Sequence, residues 1–317
     1  MYRLTKLYKI CLPFIFPLVG LTIACVIYFQ LSERLSAIDF NKLEVSSINL
    51  FFILISIILM LVNWSLEAYK WGALVDRFQS LSFSKKLISV LMGLSIGFLT
   101  PNRIGDYAGR LRFISPSNRM QSIHASFVAS VYQTAVTLLV GGVGLAYWLD
   151  QEILSTHQVS LIYLILLIMS LGFVLLLFRM KWIISQIIGL RFLSYFADRF
   201  RWFLSIERKV LQRVFFLALL RYCVFMLQYY LIIISFPIES SFILVISSIS
   251  TIYLITTIVP TSTVSDIILR GAISLVILGT FIESEEIIVA ITALVWCINL
   301  VLPSLIGTSL IIFNRDK

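Results

Sequence analysis

Long apolar runs, separated by short charged stretches, recur along almost the whole chain. A helix needs about 20 mainly apolar residues to cross the hydrocarbon core of a bilayer, and several runs reach that length. The predicted full spans cover residues 10–31, 48–68, 122–148, 159–178, 214–235 and 287–313. Two further regions, 87–114 and 241–281, are apolar but interrupted. The pattern predicts an all-α integral membrane protein whose residues 1–317 form a single transmembrane domain.

Composition agrees with this pattern. Apolar residues make up 60% of the 317 positions, charged residues make up only 13%, and the mean hydropathy is +0.99. Soluble domains average about 45–50% apolar and about 25% charged residues, so a sizeable water-soluble domain is not expected. The four cysteines lie inside apolar segments without CxxC spacing, and we expect them to be small buried residues. With only two histidines present, we expect neither a metal site nor another cofactor.

The charges in the loops differ between the two sides of the membrane. Basic residues dominate the N-terminus, residues 76–86 and 110–119, and residues 179–213, where eight Lys/Arg oppose two acids. Loops rich in Lys and Arg remain cytoplasmic, and the acidic loops, such as the one with Glu239, belong outside. We expect a bacterial plasma membrane protein with both termini in the cytoplasm. The net charge of +9 then reflects topology and attraction to anionic lipid, and nucleic acid is not an expected partner.

The segment 179–213 is itself too polar to span the membrane. Phe192, Phe196, Phe200 and Phe203 recur at helical spacing between arginines, which is typical of an amphipathic helix in the membrane interface. We expect a cytoplasmic interfacial segment, which either binds lipid head groups or serves only as a connector.

The first interrupted region breaks at Pro101, and polar and charged residues follow directly. Proline lacks the N–H that a helix interior needs, so the helix should end here, with Gly105 as a second point where the backbone opens. Asp106 and Arg110 follow at i and i+4, where their side chains share one helical face and can pair. Pairing lowers the free-energy cost of charge in a bilayer. We therefore take Arg103, Asp106 and Arg110 as candidate substrate-binding residues.

The second interrupted region repeats this arrangement about half a chain later, with Pro260 followed by Asp266 and Arg270. Its flanking charges are acidic whereas those of the first region are basic, so the two helical hairpins should enter the bilayer from opposite faces. Such broken helices are typical of inverted-repeat transporters, in which helix N-termini point at an anionic group near the midplane. Alternatively, both regions cross the membrane completely. The protein then has eight full spans, and the Asp–Arg pairs are structural.

Further polar residues lie within the predicted full spans. Asn63, Glu67 and Lys70 share one helical face, and we expect Lys70 to extend toward the cytoplasmic surface. Arg221 lies deeper in its span and should face the bundle interior. We add Glu67 and Arg221 to the candidate substrate-binding residues.

Three stretches carry motifs in a definite order: Pro101-Asn102-Arg103-Ile104-Gly105-Asp106 through Arg110, Asn63 through Trp71, and Trp296 through Gly307. They resemble the P-x-R-x-G-E-x-x-R signature, the N…(R/K)W element and the closing W-x-x-N-x-x-x-P-x-x-x-G helix of the lysylphosphatidylglycerol synthase transmembrane, or flippase-like, family. The resemblance covers roughly residues 10–313. Asp106 stands where the family usually has Glu, and the second hairpin lacks the usual glycine-rich turn that ends in Glu.

The resemblance implies a membrane domain that moves lipids. The lysyl-transferring members carry a soluble catalytic domain after the membrane part, and we expect only the lipid-moving part here. Together with the two breaks, this predicts a flippase-like translocator of a phospholipid or of a lipid-linked envelope precursor. Arg110 and Arg270 would contact a phosphate or acidic head group. Asp106 and Asp266 would hold these arginines in place or bind the cationic part of a zwitterionic head group.

Two other functions remain open. One is an intramembrane enzyme of lipid-linked glycan metabolism, but the sequence has no DxD pair, histidine cluster or nucleophile arrangement, and only Asp106 with Arg103 and Arg110 forms a candidate group. The other is a non-transporting subunit of an envelope-biosynthesis complex, with a partner protein or a second copy of the chain. We expect no enzymatic activity. The sequence has no G-x-x-x-x-G-K-[ST] loop, which argues against an ATP-driven pump.

Overall fold

The computed structural model describes residues 48–100, 103–152, 204–259 and 263–313, together with residues 172, 179 and 182. Within these ranges every regular element is helical. In chain order the helices are α1 (Leu50–Val75), α2 (Phe83–Phe98), α3 (Gly105–Gly109), α4 (Arg119–Glu152), α5 (Arg208–Ile233), α6 (Phe242–Ile258), α7 (Thr263–Leu278), α8 (Glu285–Trp296) and α9 (Leu302–Phe313). The all-helical prediction is confirmed for this part of the chain.

The helices carry apolar residues on their outer surface and polar residues inside. On α1, Leu54, Ile58 and Leu61 are more than half exposed, whereas Glu67 and Lys70 are buried. This is the reverse of a soluble helix. It arises because lipid surrounds apolar side chains readily, while each charge in the bilayer needs a protein partner. The outer surface of the bundle is therefore suited to contact lipid.

Four helical stretches among the described residues are long and apolar enough to cross a membrane. They cover Leu50–Val75, Pro116–Asp150, Arg208–Ile233 and Glu285–Phe313. Each coincides with one of the predicted full spans, so these four predictions are confirmed as helices of sufficient length. Helix α5 begins at Arg208, earlier than the predicted start at residue 214. The predicted spans 10–31 and 159–178, most of the segment 179–213, and both termini lie outside the described residues.

The cysteines partly correct a prediction. Cys223 and Cys297 are exposed on the helix surface, although we expected buried residues. A thiol is only weakly polar, so an outward position toward lipid carries little penalty. Cys11 and Cys25 lie outside the described residues.

The first predicted break is present as a short helical hairpin. Helix α2 ends at Phe98, and the five-residue α3 packs back against it. A Cβ added to Gly109 would collide with the backbone of Gly93, so the two helices approach each other more closely than a larger residue permits. Pro101 lies outside the described residues.

Gly105 lies at this break, but the backbone does not open there. Among the described residues, the left-handed conformation occurs at Arg103, with a φ of 54°. Gly105 begins α3, and a Cβ on it would come within 2.5 Å of the carbonyl oxygen of Ile96. Glycine is therefore required at this position by close packing rather than by backbone freedom, which corrects the predicted role of Gly105.

The second predicted break separates α6 from α7, and these two helices pack against each other. They have 17 and 16 residues, fewer than the roughly 20 that a straight span needs. Asp266 and Arg270 lie on α7, while Pro260 is outside the described residues. The entry of the two hairpins from opposite faces and the inverted repeat stay predictions.

A π-helix, Cys297–Val301, joins α8 to α9 and was not expected from the sequence. The N–H of Leu302 bonds to the carbonyl oxygen of Cys297, five residues earlier. Pro303 follows, and because it has no N–H it cannot bond to the carbonyl oxygen of Asn299 as an α-helix would require. The wide turn accommodates this missing hydrogen bond and leaves Asn299 buried in the bundle.

We predict that Gly109→Ala destabilises the folded protein, because the new methyl group meets backbone atoms of α2. The expected loss in the free energy of unfolding is about 1–3 kcal/mol. Gly271→Ala is the matched control, since nothing lies within 4 Å of a Cβ there and alanine favours the interior of α7. Denaturant unfolding of both variants in detergent micelles measures the difference. Equal midpoints would contradict the close contact of α2 and α3.

Candidate functional site

Glu67 is the centre of a buried network of charged side chains. It lies on α1, and Lys70 follows one helical turn later, with 2.6 Å between Glu67 Oε2 and Lys70 Nζ. Arg110, which directly follows α3, approaches Glu67 Oε1 at 3.1 Å through Nη2. Arg221 on α5 approaches Glu67 Oε2 at 3.2 Å through Nη1. One carboxylate thus contacts three cations from three separate parts of the chain.

Asp106 supplies a second negative charge. Its carboxylate accepts two hydrogen bonds from Arg110, at 3.0 Å from Nε and at 2.8 Å from Nη2. The predicted pairing at i and i+4 is therefore confirmed, and the bidentate geometry fixes the plane of the guanidinium. We call Glu67, Lys70, Arg110, Arg221 and Asp106 the Glu67 network. Its three cations and two carboxylates leave one excess positive charge.

Uncharged amides complete the surroundings of these cations. Gln133 on α4 accepts hydrogen bonds through Oε1 from Lys70 at 3.0 Å and from Arg221 at 3.3 Å. Asn63 accepts a hydrogen bond through Oδ1 from Arg221 Nε at 2.8 Å.

Lys70 is only 1% exposed, so the prediction that it extends to the cytoplasmic surface is wrong. Glu67 and Gln133 instead supply the ammonium group with partners inside the bundle.

Arg221 faces the bundle interior, as predicted from its depth in the span. Its guanidinium carbon lies 5.1 Å from the ring centroid of Trp64 and 4.8 Å from that of Phe225. Contact with aromatic faces stabilises a guanidinium that has lost its hydration. Arg221 therefore connects the Glu67 network with an aromatic surface.

The second predicted pair is also present, on α7. Arg270 Nε donates a hydrogen bond to Asp266 Oδ2 at 2.8 Å, and the guanidinium carbon lies 5.9 Å from the ring centroid of Tyr253 on α6. A guanidinium carries five N–H donors, so Arg270 has more donors than this ion pair engages. Arg270 can therefore bind an acceptor while it remains paired with Asp266.

A cavity of about 200 Å³ lies where these parts of the bundle meet. Arg103, Arg221 and Arg270 line it, so arginines from the first break, from α5 and from the second hairpin reach the same space. The other described lining residues are aromatic, apolar or uncharged polar: Trp64, Gln133, Thr137, Tyr222, Phe225, Tyr253, Thr257, Val295, Trp296, Asn299 and Leu300. We call this space the arginine cavity. A bundle cavity with a few converging polar groups is a common form of ligand site.

The predicted site residues divide into those that line the arginine cavity and those that do not. The four that are absent from its described lining are Glu67, Asp106, Arg110 and Asp266, and each of them forms an ion pair. Arg110 was expected to contact a head group directly. Arg110 pairs with two carboxylates and is absent from the described lining, and its contact with a head group stays a prediction.

The uncharged part of the site was not predicted from the sequence. Trp64, Tyr253 and Trp296 line the arginine cavity. Aromatic residues are common in membrane helices, so no local signal separated Trp64 and Tyr253 from the others. Trp296 begins the closing motif of the family resemblance but was not taken as a site residue. Gln133 differs, because an amide in the middle of an apolar span is unusual. That signal could have identified Gln133 as a site residue, although the sequence analysis did not use it.

The chain matches the family described as the lysylphosphatidylglycerol synthase TM region over residues 17–307. The chain belongs to this family. The match confirms the resemblance seen in the motifs. It also shows that the protein is an integral, multi-pass membrane protein. The LPG synthase TM region is a membrane domain associated with lipid modification and flipping. No curated protein and no solved structure matches the chain.

We predict that Glu67→Gln strongly destabilises the protein, because three buried cations lose their shared counter-charge. Removing one partner of a buried ion pair costs about 3–5 kcal/mol. Asp76→Asn is the control, since it breaks a pair with Lys86 in which the aspartate side chain is 42% exposed, and such pairs contribute about 1 kcal/mol or less. The comparison uses unfolding midpoints in detergent. Similar midpoints for the two variants would show that Glu67 does not stabilise the bundle.

Proposed function

We propose that this protein translocates a lipid with a phosphate-bearing or otherwise anionic head group, and that the head group binds in the arginine cavity. The observation that carries the proposal is the convergence of Arg103, Arg221 and Arg270 on one cavity within a multi-pass membrane protein. Arginine binds phosphate and carboxylate oxygens through parallel N–H donors, and ionisable groups at membrane depth usually mark a substrate path.

The charge of the surrounding bundle supports binding of an anion. The Glu67 network carries one excess positive charge, and Arg221 is part of both the network and the cavity lining. Charge repulsion is weakly screened in a low-dielectric interior, so an empty cavity is electrostatically unfavourable. A bound anion relieves this repulsion, which gives the cavity a preference for negatively charged head groups.

The three arginines have different surroundings, which suggests different roles. Arg221 is fixed by Glu67, Asn63 and Gln133 and forms the rigid wall of the cavity. Arg270 is paired only with Asp266 among the described residues that form ion pairs, and Arg103 is exposed in the turn before α3. We propose that Arg103 contacts an incoming head group and that Arg270 and Arg221 bind it inside.

Membrane, orientation and reaction type complete the proposal. We place the protein in the bacterial plasma membrane with both termini in the cytoplasm, following the distribution of Lys and Arg in the loops. The cargo is a phospholipid or a lipid-linked envelope precursor, in keeping with the lipid association of the family. We propose transport without a bond-making step, because the described lining of the cavity has no carboxylate, histidine or cysteine.

We predict that Arg270→Gln and Arg103→Gly each slow lipid translocation at least tenfold, since a hydrogen bond to a charged group contributes about 1.5–3 kcal/mol. Purified protein in liposomes with acyl-chain-labelled phosphatidylglycerol, followed by chemical quenching of the outer leaflet, measures the rate. Arg213→Gln is the control, because this exposed arginine on α5 is absent from the described cavity lining.

Arg103→Gly separates transport from folding. Arg103 has left-handed backbone, which glycine adopts without the penalty of roughly 1–2 kcal/mol that an L side chain incurs. The variant should therefore unfold at a temperature close to that of the unmodified protein while its rate of lipid translocation falls at least tenfold. Unchanged translocation in both the Arg103 and the Arg270 variant would contradict the proposed function.

A further inference from the structure

We propose that the hydrogen bond between Tyr229 and Ser274 is a gate that closes the arginine cavity toward the acidic loops, and that α7 and α8 move away from α5 when this gate opens. The inference rests on the proposed function, because a transporter opens its cavity to one side of the membrane at a time. Three features support it: the position of a buried hydroxyl group cluster, the difference in strength between the two closures of the cavity, and the π-helix that ends α8.

Tyr229, Ser274 and Thr292 form a buried cluster of hydroxyl groups outside the described lining of the cavity. The hydroxyl oxygens of Tyr229 on α5 and Ser274 on α7 are hydrogen-bonded at 3.2 Å. Thr292 on α8 lies beside the same phenol. All three residues are at most 4% exposed, so polar groups from three helices meet here inside the bundle.

The three hydroxyl groups lie on one side of the arginine cavity. Tyr229 follows the lining residue Phe225 by about one turn of α5, and Ser274 follows Arg270 by one turn of α7. Thr292 occupies the corresponding place on α8, next to the cavity but outside its described lining. The cluster therefore stands directly in line with the cavity along three helices.

From this cluster the helices continue to the acidic loops, with Glu239 after α5 and Glu283 between α7 and α8. In the orientation that we propose, these loops face the outside. The Glu67 network lies on the opposite side of the cavity, because Glu67 and Lys70 follow the lining residue Trp64 toward the basic loop after α1. The cavity is thus bounded by charged groups toward the cytoplasm and by neutral hydroxyl groups toward the outside.

Tyr253 on α6 connects the cavity with the proposed gate. Its ring lines the cavity and meets the ring of Tyr229 edge to face, with 5.9 Å between the centroids. Tyr222 and Phe225 approach the same ring at 6.1 and 5.9 Å. A head group can leave the cavity in this direction only if these packed rings separate.

The two closures of the cavity differ in strength. Opening toward the cytoplasm requires the buried ion pairs of Glu67 with Arg110 and Arg221 to separate, which leaves charges without partners. The bond between Tyr229 and Ser274 joins two neutral hydroxyl groups, and a neutral hydrogen bond contributes less than one to a charged group. The hydroxyl side is therefore the side that opens more readily.

Helices α7 and α8 form the moving part, because the helices around them are tied together. Gln228 on α5 donates a hydrogen bond to the carbonyl oxygen of Ser56 on α1 at 2.9 Å. On α4, a Cβ added to Gly144 would collide with Ser250 of α6. Helices α7 and α8 pack against each other, and α8 ends at the π-helix Cys297–Val301. Helices kink at such wide turns, so we place the hinge there.

The test measures, from each side of the membrane, how fast a single cysteine in the cavity reacts with a membrane-impermeant thiol reagent. Thr137→Cys supplies the probe, because Thr137 lines the cavity, is only 7% exposed and is close to cysteine in size. The four native cysteines are replaced by alanine. The reagent is sulfonatoethyl methanethiosulfonate, added to spheroplasts for the outer side and to inside-out vesicles for the cytoplasmic side.

We expect Tyr229→Phe and Ser274→Ala each to raise the labelling rate from the outside by about threefold to tenfold, since each removes the hydrogen bond of the gate. The two changes together should have no larger effect than either alone, because they remove the same bond. Labelling from the cytoplasmic side should stay unchanged. Tyr230→Phe is the matched control, because Tyr230 is the next residue on α5 and packs against Phe242.

An outer labelling rate that is unchanged in both variants would overturn the gate. An equal rise from both sides would also overturn it, because the bundle as a whole would then be looser. The same holds for a rise in the Tyr230→Phe control as large as that in the two gate variants. Each substitution removes only a hydroxyl group, so the variants should insert and fold like the unmodified protein.

The labelling does not depend on lipid movement, so the gate and the proposed function can fail separately. A rise in outer labelling in a protein that translocates no lipid in proteoliposomes would support the gate and contradict the proposed function. Translocation that is lost in the Arg103 and Arg270 variants, together with equal labelling in the gate variants and their control, would support the proposed function and overturn the gate.

Discussion

The buried carboxylate of Glu67 is the interaction on which the arrangement of the bundle depends. It contacts Lys70 from its own helix, Arg110 from the end of α3 and Arg221 from α5. In a bilayer each of these cations is unfavourable alone. Helix α1, the first hairpin and α5 must therefore pack so that all three cations reach the same two oxygens. The position of the arginine cavity follows, since Arg221 lines it.

This dependence explains why stabilising residues and residues that line the arginine cavity are so closely interleaved. Arg221 forms an ion pair with Glu67, and it also lines the cavity, where its guanidinium contacts the rings of Trp64 and Phe225. On the other side, Asp266 fixes Arg270 in the same manner. Glu67 and Asp266 each hold one arginine in a defined orientation, so two of the three guanidinium groups that line the cavity are fixed in place, whereas Arg103 is exposed in the turn before α3. Such preorganisation favours tight binding, because less freedom is lost when a ligand is bound.

Local features of the site could be predicted from the sequence, and long-range ones could not. The pairs Asp106–Arg110 and Asp266–Arg270 are four residues apart on one helix, so helical geometry alone predicts them. The contact of Glu67 with Arg221 joins residues far apart in the chain, and nothing in the spacing of apolar residues specifies it. Lys70 shows the same limit: its position on α1 suggested an outward side chain, but Glu67 on the same helix and Gln133 on α4 keep it inside. Apolar length likewise predicted the four described spans but not the π-helix before Pro303.

The excess positive charge of the Glu67 network has a consequence for the response to membrane voltage. The network alone carries one uncompensated positive charge. A monoanion bound beside it would bring the sum of the network and the anion to zero, and Arg103 in the cavity lining adds a further positive charge. A transmembrane potential exerts a force on a net charge, amounting to about 2.3 kcal/mol per elementary charge across 100 mV. In the transport cycle that we propose, the potential would act on the network when it moves empty, and a bound monoanion would offset the charge of the network when it moves loaded.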